Sequence, residues 1–109
     1  MKREFIHDKN KWQKMNFNLQ MGNLGSAVVG ALYYKGKVDK TAIERLRSAL
    51  ELFDFTLRDK RWSKDRKDKV LKIKFIFCDT FFGLGNFKVS PKSIEQYFIP
   101  FAIKANSER

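Results

Sequence analysis

The chain predicts an all-α domain, a four-helix bundle-like fold. Apolar residues recur at helical spacing in four segments, and only six Gly and two Pro interrupt 109 residues. With 43% hydrophobic residues, eleven Phe among them, one domain of this length can fill a single core, which argues against disorder despite 32% charged residues.

The first segment runs from about Asn23 to Tyr34, with Leu24, Ala27, Val28 and Ala31 on one side. Gly22, Ser26 and Gly30 recur every fourth residue and form a flat ridge where another helix of the same chain can approach closely. Gly36 is a natural helix stop. The second helix is expected over 39 to 59. Asp39 is its N-cap, Val38 and Ile43 form a hydrophobic staple around it, and Thr41 with Glu44 offers an alternative capping box. Ile43, Leu46, Leu50, Phe53 and Leu57 make its apolar face, while Glu44, Arg47, Glu51, Asp54 and Arg58 mark the charged one, with Arg47–Glu51 and Asp54–Arg58 able to pair one turn apart.

The third helix is expected over 65 to 82, stopped by Gly83. Val70, Ile73, Phe77 and Phe81 form one stripe and Leu71, Phe75, Cys78 and Phe82 a second, read together as a broad buried face. Leu71 to Phe77 also alternate as a strand would, but the helical pattern persists to Phe82, beyond a typical strand. The fourth is expected over 91 to 105, opened by Ser90 as N-cap and Pro91 at the first helical position. Pro100 lies inside it and should kink or split it, and the residues from Asn106 should fray. Leu46, Leu50, Phe53, Val70, Phe77, Phe81, Tyr97, Phe98 and Phe101 are the expected core.

Met21-Gly22-Asn23, Ile43 to Thr56, Phe77-Cys78-Asp79 and Tyr97 to Ala102 resemble a widespread group of short bacterial four-helix proteins of no assigned activity. That resemblance covers Met21 onward and implies a basic N-terminal extension over 1–20 on a four-helix domain over 21–109. In size, charge and helix count the chain is also similar to the accessory variability determinant of diversity-generating retroelements and its relatives encoded in ribosomal RNA intervening sequences. This architectural likeness implies a basic bundle working beside a reverse transcriptase and its RNA.

Charge carries the functional reading. Arg58 to Lys74 holds nine Lys/Arg against three Asp, more than half of the chain's net +11, and such a field favours a polyanion, most often nucleic acid and sometimes an anionic membrane surface; the architectural likeness is what implies RNA above DNA. Trp12 lies between Lys11 and Lys14, and Trp62 between Arg61 and Lys64. A groove that follows phosphates while stacking bases needs these residue types together. The expected contact residues are Arg58, Lys60, Arg61, Trp62, Lys64, Arg66, Lys67, Lys69, Lys72, Lys11, Trp12 and Lys14. Broad apolar faces also predict a homo-oligomer or a protein partner, and a helical assembly or antitoxin-like subunit is the alternative reading.

Catalytic parts are few. His7 is the sole histidine and stands in a charged N-terminal segment expected to be mobile. Gly83-Leu84-Gly85 reads as helix stop and turn rather than a phosphate cradle, and Asp65 and Asp68 stand among cations that would pair with them before a metal did. No enzyme activity and no cofactor are expected. Cys78 excludes an internal disulfide and fits a reducing compartment. Charges throughout the first fourteen residues do not read as a secretory signal, and Asn16 to Tyr34, though uncharged, is too polar and Gly-interrupted to span a membrane. A cytoplasmic protein is expected.

Overall fold

Five helices form the computed structural model, which describes residues 5–34 and 40–108: α1 (Lys9–Trp12), α2 (Phe17–Tyr34), α3 (Lys40–Leu57), α4 (Lys64–Phe82) and α5 (Pro91–Ser107). Among the described residues there is no strand, so the helical reading of Val70 to Phe77 holds and the domain is an all-α bundle. The expected stop at Gly36 and the Val38–Asp39 cap lie outside the described residues. Thr41 sits inside the first turn of α3.

Local chemistry sets the ends. The Ser63 and Ser90 hydroxyls accept the N–H groups of Arg66 (3.2 Å) and Ser93 (3.1 Å), satisfying donors that the first turn leaves free. Gly83, at φ 68°, closes α4 in the left-handed conformation that lacks a Cβ penalty only for glycine. Pro100 does not split α5. Both Pro100 and Gln96, whose carbonyl loses its helical donor, are exposed, so the missing bond falls on the solvent side of the helix. Nor does the chain fray at Asn106: Glu108 accepts from Asn16 and Asn18 (3.3 and 2.6 Å), tying the end of α5 to the start of α2.

α2 is central and packs most extensively on α5 and α3. A Cβ on Gly25 would lie 2.5 Å from Phe98 Cβ, and one on Gly22 would lie 3.2 Å from Ala102 Cα. The close approach therefore runs along Gly22 and Gly25 rather than the expected Gly22–Ser26–Gly30 ridge, and Gly30 faces only the tip of Arg45 at 3.8 Å. Met21, Leu24, Phe53, Phe55, Phe77 and Ile94 fill the centre. Of the expected core, Val70 and Phe98 are buried as well, Leu46, Leu50, Phe81 and Phe101 pack half-buried against it, and Tyr97 is exposed on its rim.

The described part of the expected basic extension, residues 5–20, packs on the same core. Trp12 is 5% exposed, and α2 begins six residues before Asn23. Glu51, expected on the charged outer face of α3, is buried, and its carboxylate accepts the backbone N–H groups of Ile6 (3.0 Å) and His7 (2.6 Å). His7 is thereby fixed instead of mobile, and its Nε2 is hydrogen-bonded to Ser48 Oγ at 2.8 Å. Ile43, expected on the apolar face of α3, is exposed. Among the described residues no helix is long and apolar enough to cross a membrane.

Gly25→Ala should destabilise the fold by about 1–3 kcal/mol, because the clash with Phe98 outweighs the roughly 1 kcal/mol that Ala gains over Gly in a helix. Gly30→Ala, with nothing nearer than 3.8 Å, should stabilise it by about 0.4–1 kcal/mol. Urea unfolding of the two variants checks the opposite signs.

Candidate nucleic-acid interface

The basic cluster spans the α3–α4 junction and the first half of α4, and a buried polar network fixes its geometry. Gln20, from α2, donates through Nε2 to the Trp12 carbonyl (2.9 Å) and to Asp59 (3.1 Å), and its Oε1 accepts the Trp62 indole N–H at 2.9 Å. The Trp12 indole N–H is donated to Thr56 Oγ1 at 3.0 Å. Asp59, itself buried, receives the Arg61 guanidinium on both oxygens (3.0 and 2.7 Å), and Arg61 also donates to the Met15 carbonyl at 2.8 Å. The turn carrying Lys11 and Lys14 is thereby held beside the junction.

This network corrects the aromatic part of the expected site. Trp12 is a core residue with no face left for a base. Trp62 is half-buried, with Arg61 over its ring at 4.4 Å, Arg66 at 5.6 Å and the edge of Phe17 at 5.2 Å. Arg61 is spent on Asp59 and Met15, and Arg66 lies over Phe17 at 4.7 Å. A cation beside a Trp in sequence serves here to pack the junction.

The lysines fare differently. Lys60, Lys64, Lys69 and Lys72 are exposed, as are Lys11, Lys14 and Arg58, and Lys67 is partly so. Three helical pairs hold acids against this cluster: Arg58–Asp54 (3.0 Å), Lys64–Asp68 (3.2 Å) and Lys69–Asp65 (3.3 Å). Both partners of each are solvent-exposed, so each pair contributes at most about 1 kcal/mol and yields readily to a phosphate. Among the described residues no group of three or more His, Cys, Asp or Glu could hold a metal ion.

A further aromatic, which helical periodicity alone does not reveal as open, stands on α4 one turn beyond Lys72. Leu71, Phe75 and Phe82, assigned above to a second buried stripe of α4, are exposed, Phe75 to 53% and Phe82 to 57%. α4 packs chiefly on α3, and one stripe, Val70–Ile73–Phe77, is enough to cover that contact. Phe75 follows Lys72 and Lys74 on the open side, so its ring is free where the two Trp rings are not. Cys78, half-buried on the same stripe, has its thiol pushed up by burial, which keeps it protonated and poorly nucleophilic.

The turn after α4 is closed from within. Gly83 and Gly85 are both left-handed (φ 68° and 76°), and the N–H groups of Asn86 and Phe87 are donated to the Asp79 carboxylate at 3.0 Å each. Amides that a phosphate cradle would need are occupied.

Two carboxylates are held below their ordinary pKa of 3.8: Asp59 by the Arg61 guanidinium first and then Gln20, and Asp79 by the Phe87 and Asn86 N–H groups. A lowered folded pKa adds stability above the unfolded value, and this is lost as pH falls through the folded one. Unfolding midpoints should therefore be level from about pH 7 to pH 5 and fall below about pH 4. Asp59→Asn should lower the neutral plateau by about 1–3 kcal/mol, and the double variant with Asp79→Asn should flatten the acid limb. Denaturant titrations across pH read both effects.

No protein-family model, curated protein or solved structure matches this chain.

Proposed function

We propose that the protein binds nucleic acid, single-stranded RNA in preference to duplex DNA, as a non-catalytic accessory subunit in the cytoplasm. A reverse transcriptase complex of the diversity-generating kind is one such setting. The observation that carries this reading is the lysine set of the junction and α4, Lys60, Lys64, Lys69 and Lys72 exposed and Lys67 partly so, on the element that also carries the open ring of Phe75 one turn beyond Lys72. Lysines attract the backbone without regard to sequence, and a free aromatic face stacks on bases that only a single strand leaves exposed.

The placement of the charge supports it. Lys64, Arg66 and Lys67 stand at the N-terminal end of α4, where the helix dipole is already positive and only Asp65 in the first turn opposes it. Cations at that end work against the helix dipole. Their field and the dipole's add at one surface, which suits an anionic partner.

A second reading rests on the apolar surface. Leu71, Phe75 and Phe82, with Leu84 and Phe87 in the following turn, are all exposed, and this favours a protein partner or a second copy of the chain. On that reading the protein is an assembly or antitoxin-like subunit.

Salt-titrated binding separates the two. Replacing Lys60, Lys64, Lys67 and Lys72 together with Gln should weaken RNA binding across all sequences and flatten the log–log salt slope by about 0.7 for each phosphate that is no longer neutralised. Arg61 is left intact because the fold uses it. Phe75→Ala should cost about 1–3 kcal/mol on single strands with the slope unchanged. A folded quadruple variant that binds RNA as the parent does would remove the patch from the site. A parent that binds no RNA but associates through Phe75 and Phe82 would favour the second reading.

A further inference from the structure

A cleft of about 440 Å³ opens between the N-terminal turn, α2 and α3, separate from the lysine cluster. Its volume is in the range of small-molecule sites, and its walls divide by chemistry. Lys11 and Arg45 supply two positive charges, and neither is ion-paired among the described residues. Arg45 lies over the Tyr34 ring at 5.2 Å, a ring contact that consumes no acceptor of its N–H groups. The hydrogen-bonded pair His7 and Ser48 adds an imidazole and a hydroxyl to the same wall, held in place because Glu51 anchors the His7 backbone.

Acceptors and apolar side chains line the same cleft. Asp8 uses Oδ1 to cap α1, accepting from Asn10 and Lys11, which leaves Oδ2 to accept from a ligand hydroxyl. Asn23 gives its amide N–H to the Met15 sulfur at 3.4 Å and keeps its Oδ1 for the same use. Met15 and Leu52 line the apolar side.

From this division of charge, acceptors and apolar wall we infer that the cleft binds a nucleoside monophosphate. Lys11 and Arg45 draw the phosphate, Asp8 and Asn23 accept from the sugar hydroxyls, and Met15 and Leu52 cover the base. A carboxylate metabolite without hydroxyls makes no use of the acceptors, and a neutral nucleoside makes none of the two cations. The nucleotide can be free or the 5′-phosphorylated end of an RNA strand, since the recognised chemistry is the same. The inference does not depend on the lysine cluster of α4.

The test is titration of the full chain with 5′-AMP, adenosine and inorganic phosphate, followed by the backbone amide signals of Asn23, Ala27 and Ser48. Saturable shifts at these positions with AMP are expected, with adenosine and phosphate each at least about tenfold weaker. The Lys11→Gln/Arg45→Gln variant, altered only at exposed side chains, should lose at least about tenfold in AMP affinity and keep its melting temperature, while the quadruple lysine variant of α4 should bind AMP as the parent does. Shifts confined to Arg58–Lys74, equal binding of phosphate and AMP, or an unaffected Lys11/Arg45 variant would each overturn the site. Competition of bound AMP by a 5′-phosphorylated oligoribonucleotide but not its 5′-hydroxyl form identifies a strand end as the source. Indifference to both identifies a free nucleotide.

Discussion

The buried side-chain amide of Gln20 holds three parts of the chain together. Its two ends meet the Trp12 carbonyl, Asp59 and the Trp62 indole, so one residue of α2 fixes the N-terminal turn, the α3–α4 junction and the start of α4 relative to one another. A polar group at 0% exposure is costly unless it is satisfied, and here both its donor and acceptor ends are. The surroundings must therefore be complete for any of it to be stable. Asp59 needs Arg61, Arg61 reaches Met15, and Trp12 needs Thr56, which binds segments far apart in sequence into one unit.

That dependence sorts the cations of the junction. Arg61, forked onto Asp59 and the Met15 carbonyl, is committed to the scaffold, and Arg66 is stacked over Phe17 although both arginines remain exposed. The lysines around them make no such contact with the core, and the two arginines help fix the positions from which they project. A cluster that looks uniform by charge thus differs in how firmly its members are held.

What the sequence made legible follows from range. The caps Ser63, Ser90–Pro91 and Gly83 act within three or four residues, and α4 and α5 begin and end close to where those signals fall. The start of α2 was hidden because Asn16, Asn18 and Gln20 read as a polar connection, although Phe17 and Met21 extend the Leu24–Val28 period; Asn16 accepts the Leu19 N–H and Gln20 is satisfied in the core, hydrogen bonds that periodicity does not record. Glu51 and His7 were misplaced because they answer each other across 44 positions. The Trp brackets failed for a different reason: alternating cations and aromatics describe a stacked scaffold as well as a stacking platform, and only exposure tells them apart. Phe75 was legible in residue type but not in exposure, since two apolar stripes on α4 exceed what its one main neighbour covers.

The same open side of α4 that carries Phe75 also explains how an apolar stripe and a dense positive charge coexist. A second copy seated on this stripe would bring Lys67, Lys72 and Lys74 against their own images, on a chain already at +11, and burial of the phenylalanines would have to offset that repulsion. A polyanion reverses the balance, because each phosphate neutralises a lysine while its base covers an aromatic face. Under the proposed function, the arrangement of residues that works against self-association at this face is the one that suits a single strand. Leu84 and Phe87, on the turn closed by Asp79, lie beyond the end of α4 and outside the lysine cluster, and any protein contact made there leaves the lysines free.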